Sequence, residues 1–374
     1  MLRTGIFSEI TLYFITNTGM MELPPVIEYI RSRRDNETKS TQYFRILKRH
    51  SAFNLLFMFL SPLYFLFSST LLAKSFTFAF ASVAVYWLIL LLLYYARFTA
   101  ERKYRKLSIG YLESFGKLPV FYSYLKFGVF SMILFISLLI TTDFTLNLFE
   151  EVILLQVFLV ILWFLMFYNL WLRNSTRHAQ PMETNELLAK LNSITSSEKM
   201  PGVVPLLVPA GKSKVANAYC TGVLKKTIYI TDYLYNNLNA EESVCILAHE
   251  IGHMKHKDNR LSFFLSLIPF VFAEYLIIMV MLNASGFIKA HFYKFYFPLL
   301  FALSVLVFFL VPVIIAKIRK MREFRADRFA SKYCDPDHLA IALIKASDLN
   351  MTPITLEVGS HPSVKQRIDK ILAI

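Results

Sequence analysis

The decapeptide HEIGHMKHKD at residues 249–258 sets His249 and His253 four positions apart, with Glu250 beside the first. On a helix that spacing stacks both imidazoles on one face, a turn apart. Two imidazoles so placed can bind one tetrahedral zinc ion, and Glu250 can then reach a water on the zinc but not the metal itself. Gly252 is a poor helix former, and it fits a place where something must approach the backbone closely. The competing reading is a histidine-bearing amphipathic helix at a membrane surface. His256 shares the face and is expected to be a neighbour of the site, not a ligand.

A third ligand decides between the two readings, and two sources can be checked. A glycine three residues and a histidine six residues past His253 would make the longer metzincin motif. Those positions hold His256 and Asn259, so that class is excluded. The other source is REFRADRFA at 322–330, where Glu323 and Asp327 lie four apart and share a helix face. Glu323 can be the third ligand, and Asp327 can accept the outer ring N–H of a ligating histidine and fix its tautomer. Taken alone, the stretch reads equally as a lattice of surface ion pairs with Arg325 and Arg328.

The elements that must position these residues are membrane elements. The 374 residues are 56% hydrophobic and only 18% charged, against about 45–50% and about 25% in soluble domains. Apolar runs at 52–73, 75–96, 127–142, 152–171, 261–283 and 297–316 predict about six transmembrane helices. Residues 1–51 read as a cytoplasmic or interfacial segment without a removable signal peptide. Lys and Arg crowd the stretch before the first span, the loop 97–126 and the stretch after the sixth, while the opposite connections are poor in them. That alternation places both termini in the cytoplasm and accounts for the net charge of +14 without nucleic acid. The aromatic stretch at 110–126 reads as an interfacial anchor. Cys220, Cys245 and Cys334 have no paired spacing and read as three reduced thiols.

The chain thus divides into 1–51, a four-span membrane region at 52–171, a soluble piece at 172–260, a transmembrane hairpin at 261–316 and a second soluble piece at 317–374. The first soluble piece has mixed α/β character. A helix is expected at Thr184–Ser197, strands at Val203–Val208 and Thr227–Thr231, and an edge strand within Ala216–Leu224. Asn239 is expected to cap the helix that carries His249. Between His253 and Glu323 lies little but the hairpin, so both ligand helices are tethered at one membrane surface and can meet there.

With HEIGHMKHKD, the EFRAD stretch after a helical hairpin, ANAYCTG before the motif and HPSVKQRI near the C-terminus in this order, the chain resembles a family of integral-membrane gluzincin peptidases. That family includes HtpX-type quality-control proteases and type I CAAX prenyl endopeptidases, and the resemblance covers about 175–374. It implies a zincin-type peptidase domain, split by the hairpin and facing the cytoplasm, with one Zn2+ per chain. By position, His249, His253 and Glu323 would bind zinc, Glu250 would be the general base and Asp327 would hold a ligand histidine. A protein or peptide substrate, membrane-associated, would lie along Asn217, Ala218 and Tyr219. His361 and Arg367 are candidate donors to the oxyanion. The expected setting is a bacterial inner membrane, with quality control or processing as the role and prenyl-type cleavage as the alternative. Glu274, inside the fifth span, could line a substrate path or pair with a neighbouring helix. A silent sensor or scaffold would need no intact Glu250, and a transporter would leave both motifs unexplained.

Overall fold

The computed structural model of the chain describes residues 39–51, 76–115, 178–183, 185–200, 202–221, 227–258, 313–357 and 361–373, with isolated positions between them. Helix α1 covers 39–51 and helix α2 covers Phe76–Arg105. Within α2, Ala84–Arg105 is the one stretch among the described residues long and apolar enough to cross a membrane. It contains most of the second expected span. Its exposed face carries Val85, Leu88, Leu91 and Leu92, while Tyr86, Leu90, Tyr94 and Phe98 are buried. A helix apolar on both faces suits a lipid environment. The first, third and fourth expected spans and most of the fifth and sixth, with Glu274, lie outside the described residues.

The mixed α/β piece is built on a four-stranded sheet. Its strands are β1 (Gln180–Pro181), β2 (Val204–Val208), β3 (Ala218–Thr221) and β4 (Thr227–Thr231), in the order β1-β2-β4-β3. β2 and β4 run parallel, while β1 and β3 pair antiparallel at the two edges. The edge position expected for the 216–224 stretch is therefore observed. β1 was not anticipated, because two residues have no periodicity to read, and its Pro181 is a residue that only an edge tolerates.

Helix α3 (Asn185–Ser197) and the short α4 (Asp232–Tyr235) precede α5 (Ala240–Lys255), which carries the histidines. The Asn239 side chain caps α5 at Glu242 N–H, and the Glu242 carboxylate returns to Asn239 N–H, a reciprocal capping box. Glu242 is buried and also accepts two bonds from Lys345 Nζ, at 2.7 and 2.8 Å. Lys345 lies on α7 (Pro336–Leu349), which follows α6, described over 313–330. The last helix is α8 (Val364–Ile371), with its own capping box between Ser363 and Gln366. Ile228, Ile230, Leu247, Ala248, Ile251, Phe329, Ala330 and Leu339 are at most 3% exposed and form the core between sheet and helices.

Two contacts moor the edge strand from outside the sheet. Asn350, capping the end of α7, donates to Ala216 O at 2.6 Å and accepts from Ala216 N–H at 3.2 Å, pairing with that residue as a strand would. Arg105, the last residue of α2, donates to the carbonyls of Ser213 and Lys214. Val215 packs beside Phe98, Leu107, Ile109 and Leu118. The described part of the aromatic stretch, Tyr111 to Phe115, stacks on Tyr94, Tyr95 and Phe98 of α2.

One expectation needs correction. Cys245 on α5 and Cys334 beyond α6 are joined as a disulfide, with Cα atoms 5.6 Å apart and a sequence separation of 89; Cys220 is free and buried. Spacing could not reveal the pair, because its members meet only after the chain has returned through the expected hairpin. Denatured without reductant, the protein should take up one alkyl group by intact mass, and three after reduction. Three in both conditions would remove the pairing.

Helix α5 meets α6 at Gly252, where an added Cβ would stand 3.1 Å from Phe329 Cδ1 and 3.2 Å from the Ala326 Cα. The neighbour is backbone and cannot rotate away. Gly252→Ala should therefore cost about 1–3 kcal/mol by forcing the helices apart. A lowered melting temperature in detergent, lower still for Gly252→Val, is the expected reading; unchanged melting in both would mean that the helices do not touch there.

Candidate metal centre

Because α5 is helical through both histidines, their rings meet edge to face, and His249 Nε2 is 3.1 Å from His253 Nε2. Glu323 enters from α6: Oε2 is 3.6 Å from His249 Nε2 and Oε1 is 3.6 Å from His253 Nε2. Ligands at 2.0–2.1 Å from a tetrahedral zinc are about 3.4 Å from one another. Each histidine faces a different oxygen of Glu323 near that spacing, and the three residues form the group among the described residues able to hold a metal ion, each offering one ligand atom within 4.8 Å of the others. Two imidazoles and one carboxylate are the donor set of a catalytic zinc site with a fourth position open to water or substrate. His256 stands outside the group.

Each of the two histidines has its second ring nitrogen on a carboxylate. His249 Nδ1 is 2.9 Å from Asp327 Oδ1, the partnership the spacing of EFRAD anticipated. His253 Nδ1 is 2.9 Å from Asp258 Oδ2, a residue sequence reasoning did not assign. Asp258 lies three residues past the end of α5 and reaches back because Lys257 takes a left-handed backbone conformation, φ 56°. The signal was present as the last letter of HEIGHMKHKD, but no helical periodicity extends to it.

Arg367, on α8, is the hub on the opposite side. Its Nε and Nη2 donate to the two oxygens of Asp327 at 2.8 and 2.6 Å, and its Nη1 is 3.3 Å from Glu323 Oε2. His361 Nδ1 is 3.1 Å from Glu323 Oε1, with 60% of its side chain exposed. Both residues of HPSVKQRI named from sequence therefore gather at the third ligand. Glu250 is buried on α5, and its charge is felt by Arg367.

The electrostatics favour a cation. Burial opposes charge on Glu323, but Arg367 and hydrogen bonds from His249 and His361 hold its carboxyl well below the usual range. Asp327 is lowered in the same way, with burial opposed chiefly by Arg367. Burial works against a proton on His249, yet bonds to Asp327 and Glu323 outweigh it and push the imidazole up to about 9. Carboxylates that stay ionised while buried, aimed at ring nitrogens, stabilise positive charge between them. A divalent ion at the Nε2 side meets that same field.

The expected peptide-docking residues lie one layer away. β3 packs against α5 and leaves its outer edge at the end of the sheet. Asn217 is fixed to β4 through Thr231, its N–H 3.0 Å from Thr231 Oγ1 and its carbonyl 2.9 Å from Thr231 N–H. Tyr219 stacks on Tyr229 at 5.1 Å.

Comparison with known proteins agrees with this geometry. The CAAX prenyl protease 1 homolog of Arabidopsis thaliana is 27% identical over 209 residues, 51% of this chain and 48% of that protein. The uncharacterized metalloprotease YhfN of Bacillus subtilis is 28% identical over 50% of this chain and 48% of its own length. Protease HtpX homolog 2 of Methanosarcina mazei is 26% identical over 43% of this chain and 63% of its own length. The match thus spans about half the length of the first two relatives and less than two thirds of the third. The crystal structure of S. mikatae Ste24p covers 98% of this chain and 97% of its own, with a TM-score of 0.58 at 20% identity, which is a likeness of fold. Residues 181–374, which hold the sheet, both ligand helices and Arg367, match the sequence pattern of one family over more than half of the chain: it belongs to peptidase family M48.

Proposed function

We propose that this chain is a zinc-dependent endopeptidase of the membrane, cleaving membrane or membrane-associated proteins with its site at the cytoplasmic face. The observation that carries the reading is the cluster of His249, His253 and Glu323, whose ligand atoms all lie within 4.8 Å of one another. Zinc bound there would polarise the scissile carbonyl and make a water a nucleophile at neutral pH. Glu250 takes the proton of the attacking water and passes it to the leaving amine nitrogen. His361, with 60% of its side chain exposed beside Glu323, is the candidate donor to the developing oxyanion. Arg367 spends most of its donors on Asp327 and Glu323, so its part is to hold the ligand set in place. The peptide adds as a strand along Ala218–Thr221, bonded through its backbone, so that recognition depends little on sequence.

The positive-charge pattern supports the cytoplasmic side, and α2 supports a membrane setting. A narrower substrate, the prenylated C-terminal peptide, is supported by similarity to a protein named as a CAAX prenyl protease homolog. Faster cleavage of a farnesylated peptide than of its unmodified twin would favour that substrate; equal rates would favour the general one.

Elemental analysis of detergent-purified protein should give close to one zinc per chain, with clear loss in Glu323→Ala. Glu250→Gln should keep the zinc and lower hydrolysis of labelled casein by about 10²–10⁴-fold. Wild type without zinc or any other divalent metal would turn the reading to a silent scaffold.

A further inference from the structure

We infer that Asp258 is the positioning residue for the second zinc ligand, His253, and that it acts as a latch between the end of α5 and the helix that supplies Glu323. This inference rests on the zinc reading above. The Asp258 carboxylate is 4% exposed and both of its oxygens are engaged. Oδ2 faces His253 Nδ1 at 2.9 Å, which fixes the proton on Nδ1 and turns the Nε2 lone pair towards His249 and Glu323. Oδ1 accepts from Arg325 Nη2 and has Arg322 Nε at 3.7 Å. Arg322 Nη1 also donates to the Asp258 carbonyl at 3.2 Å.

Both arginines lie on α6 and flank Glu323 and the residue after it. The arrangement mirrors the one at the first ligand, where Asp327 bonds His249 and is held by Arg367. Each histidine therefore sits on a carboxylate that an arginine also engages, and each relay joins α5 to another element. At His249 the carboxylate comes from α6; at His253 it follows α5 and the arginines come from α6. A single ion pair closing a helix end would need neither the buried second oxygen nor its aim at the ring nitrogen.

The test is zinc affinity of the full chain in detergent, by competition with a chromophoric chelator, independent of any substrate. Asp258→Asn should weaken zinc about 10–100-fold, with a changed visible spectrum when cobalt replaces zinc. Affinity and cobalt spectrum equal to wild type would overturn the inference while leaving the zinc reading intact. Loss of zinc from wild type would instead sink that reading. If Asp258→Asn does not fold, Arg325→Gln decides: several-fold weaker zinc supports the latch, and wild-type affinity overturns it.

Discussion

The structure depends on a backbone contact between α5 and α6 that only a glycine permits. With Gly252 against Ala326 and Phe329, the helices come close enough for a carboxylate from one to reach imidazoles on the other. A methyl group at that point would have to push Phe329 or Ala326 away, on the same helix that carries Glu323. The capping box at Asn239, the Glu242–Lys345 pair and the Cys245–Cys334 link hold α5 along its remaining length. They determine where the helix lies; Gly252 determines how near its partner can be.

Around that contact the charges are arranged so that each depends on its neighbour. Three carboxylates buried in the domain, Asp258, Glu323 and Asp327, would ordinarily take up protons. Arg367 opposes this at Asp327 and Glu323, and at Asp258 His253 opposes it first, with Arg325 and Arg322 adding to it. The arginines are thus a condition for the ligand geometry, because a protonated Asp327 or Asp258 would no longer orient its histidine. The price of ionisation in the interior is met by α8, a helix whose last core residues otherwise only close the domain.

How much could be read from the sequence follows from the range of each signal. Helical spacing runs through His249, Glu250 and His253 and again through Glu323 and Asp327, so these were legible, and so was the Asn239 cap three residues before Glu242. The hairpin expected between them, which lies mostly outside the described residues, offered a way for His253 and Glu323, 70 positions apart, to meet. Asp258 was missed because its approach depends on one left-handed residue at Lys257. The cysteine pair was missed because it is a consequence of the helix contact and not of any spacing. β1 was missed because an edge of two residues carries no pattern. The mooring of Ala216 by Asn350 joins positions 134 apart through a side-chain amide, and only the folded chain shows it.

The grip of Arg105 on Ser213 and Lys214 has a mechanical meaning. It ties the run into β3 to the end of the helix whose apolar face suits lipid. In a bilayer the depth and tilt of that helix are set by lipid thickness and by the basic residues at its end. A strand anchored to it keeps a set height above the hydrocarbon, as a ruler is read from its fixed end. On the proposed function, a peptide added to that strand would be presented at a height the bilayer sets, so that thickness as well as side chains would choose the bond cut.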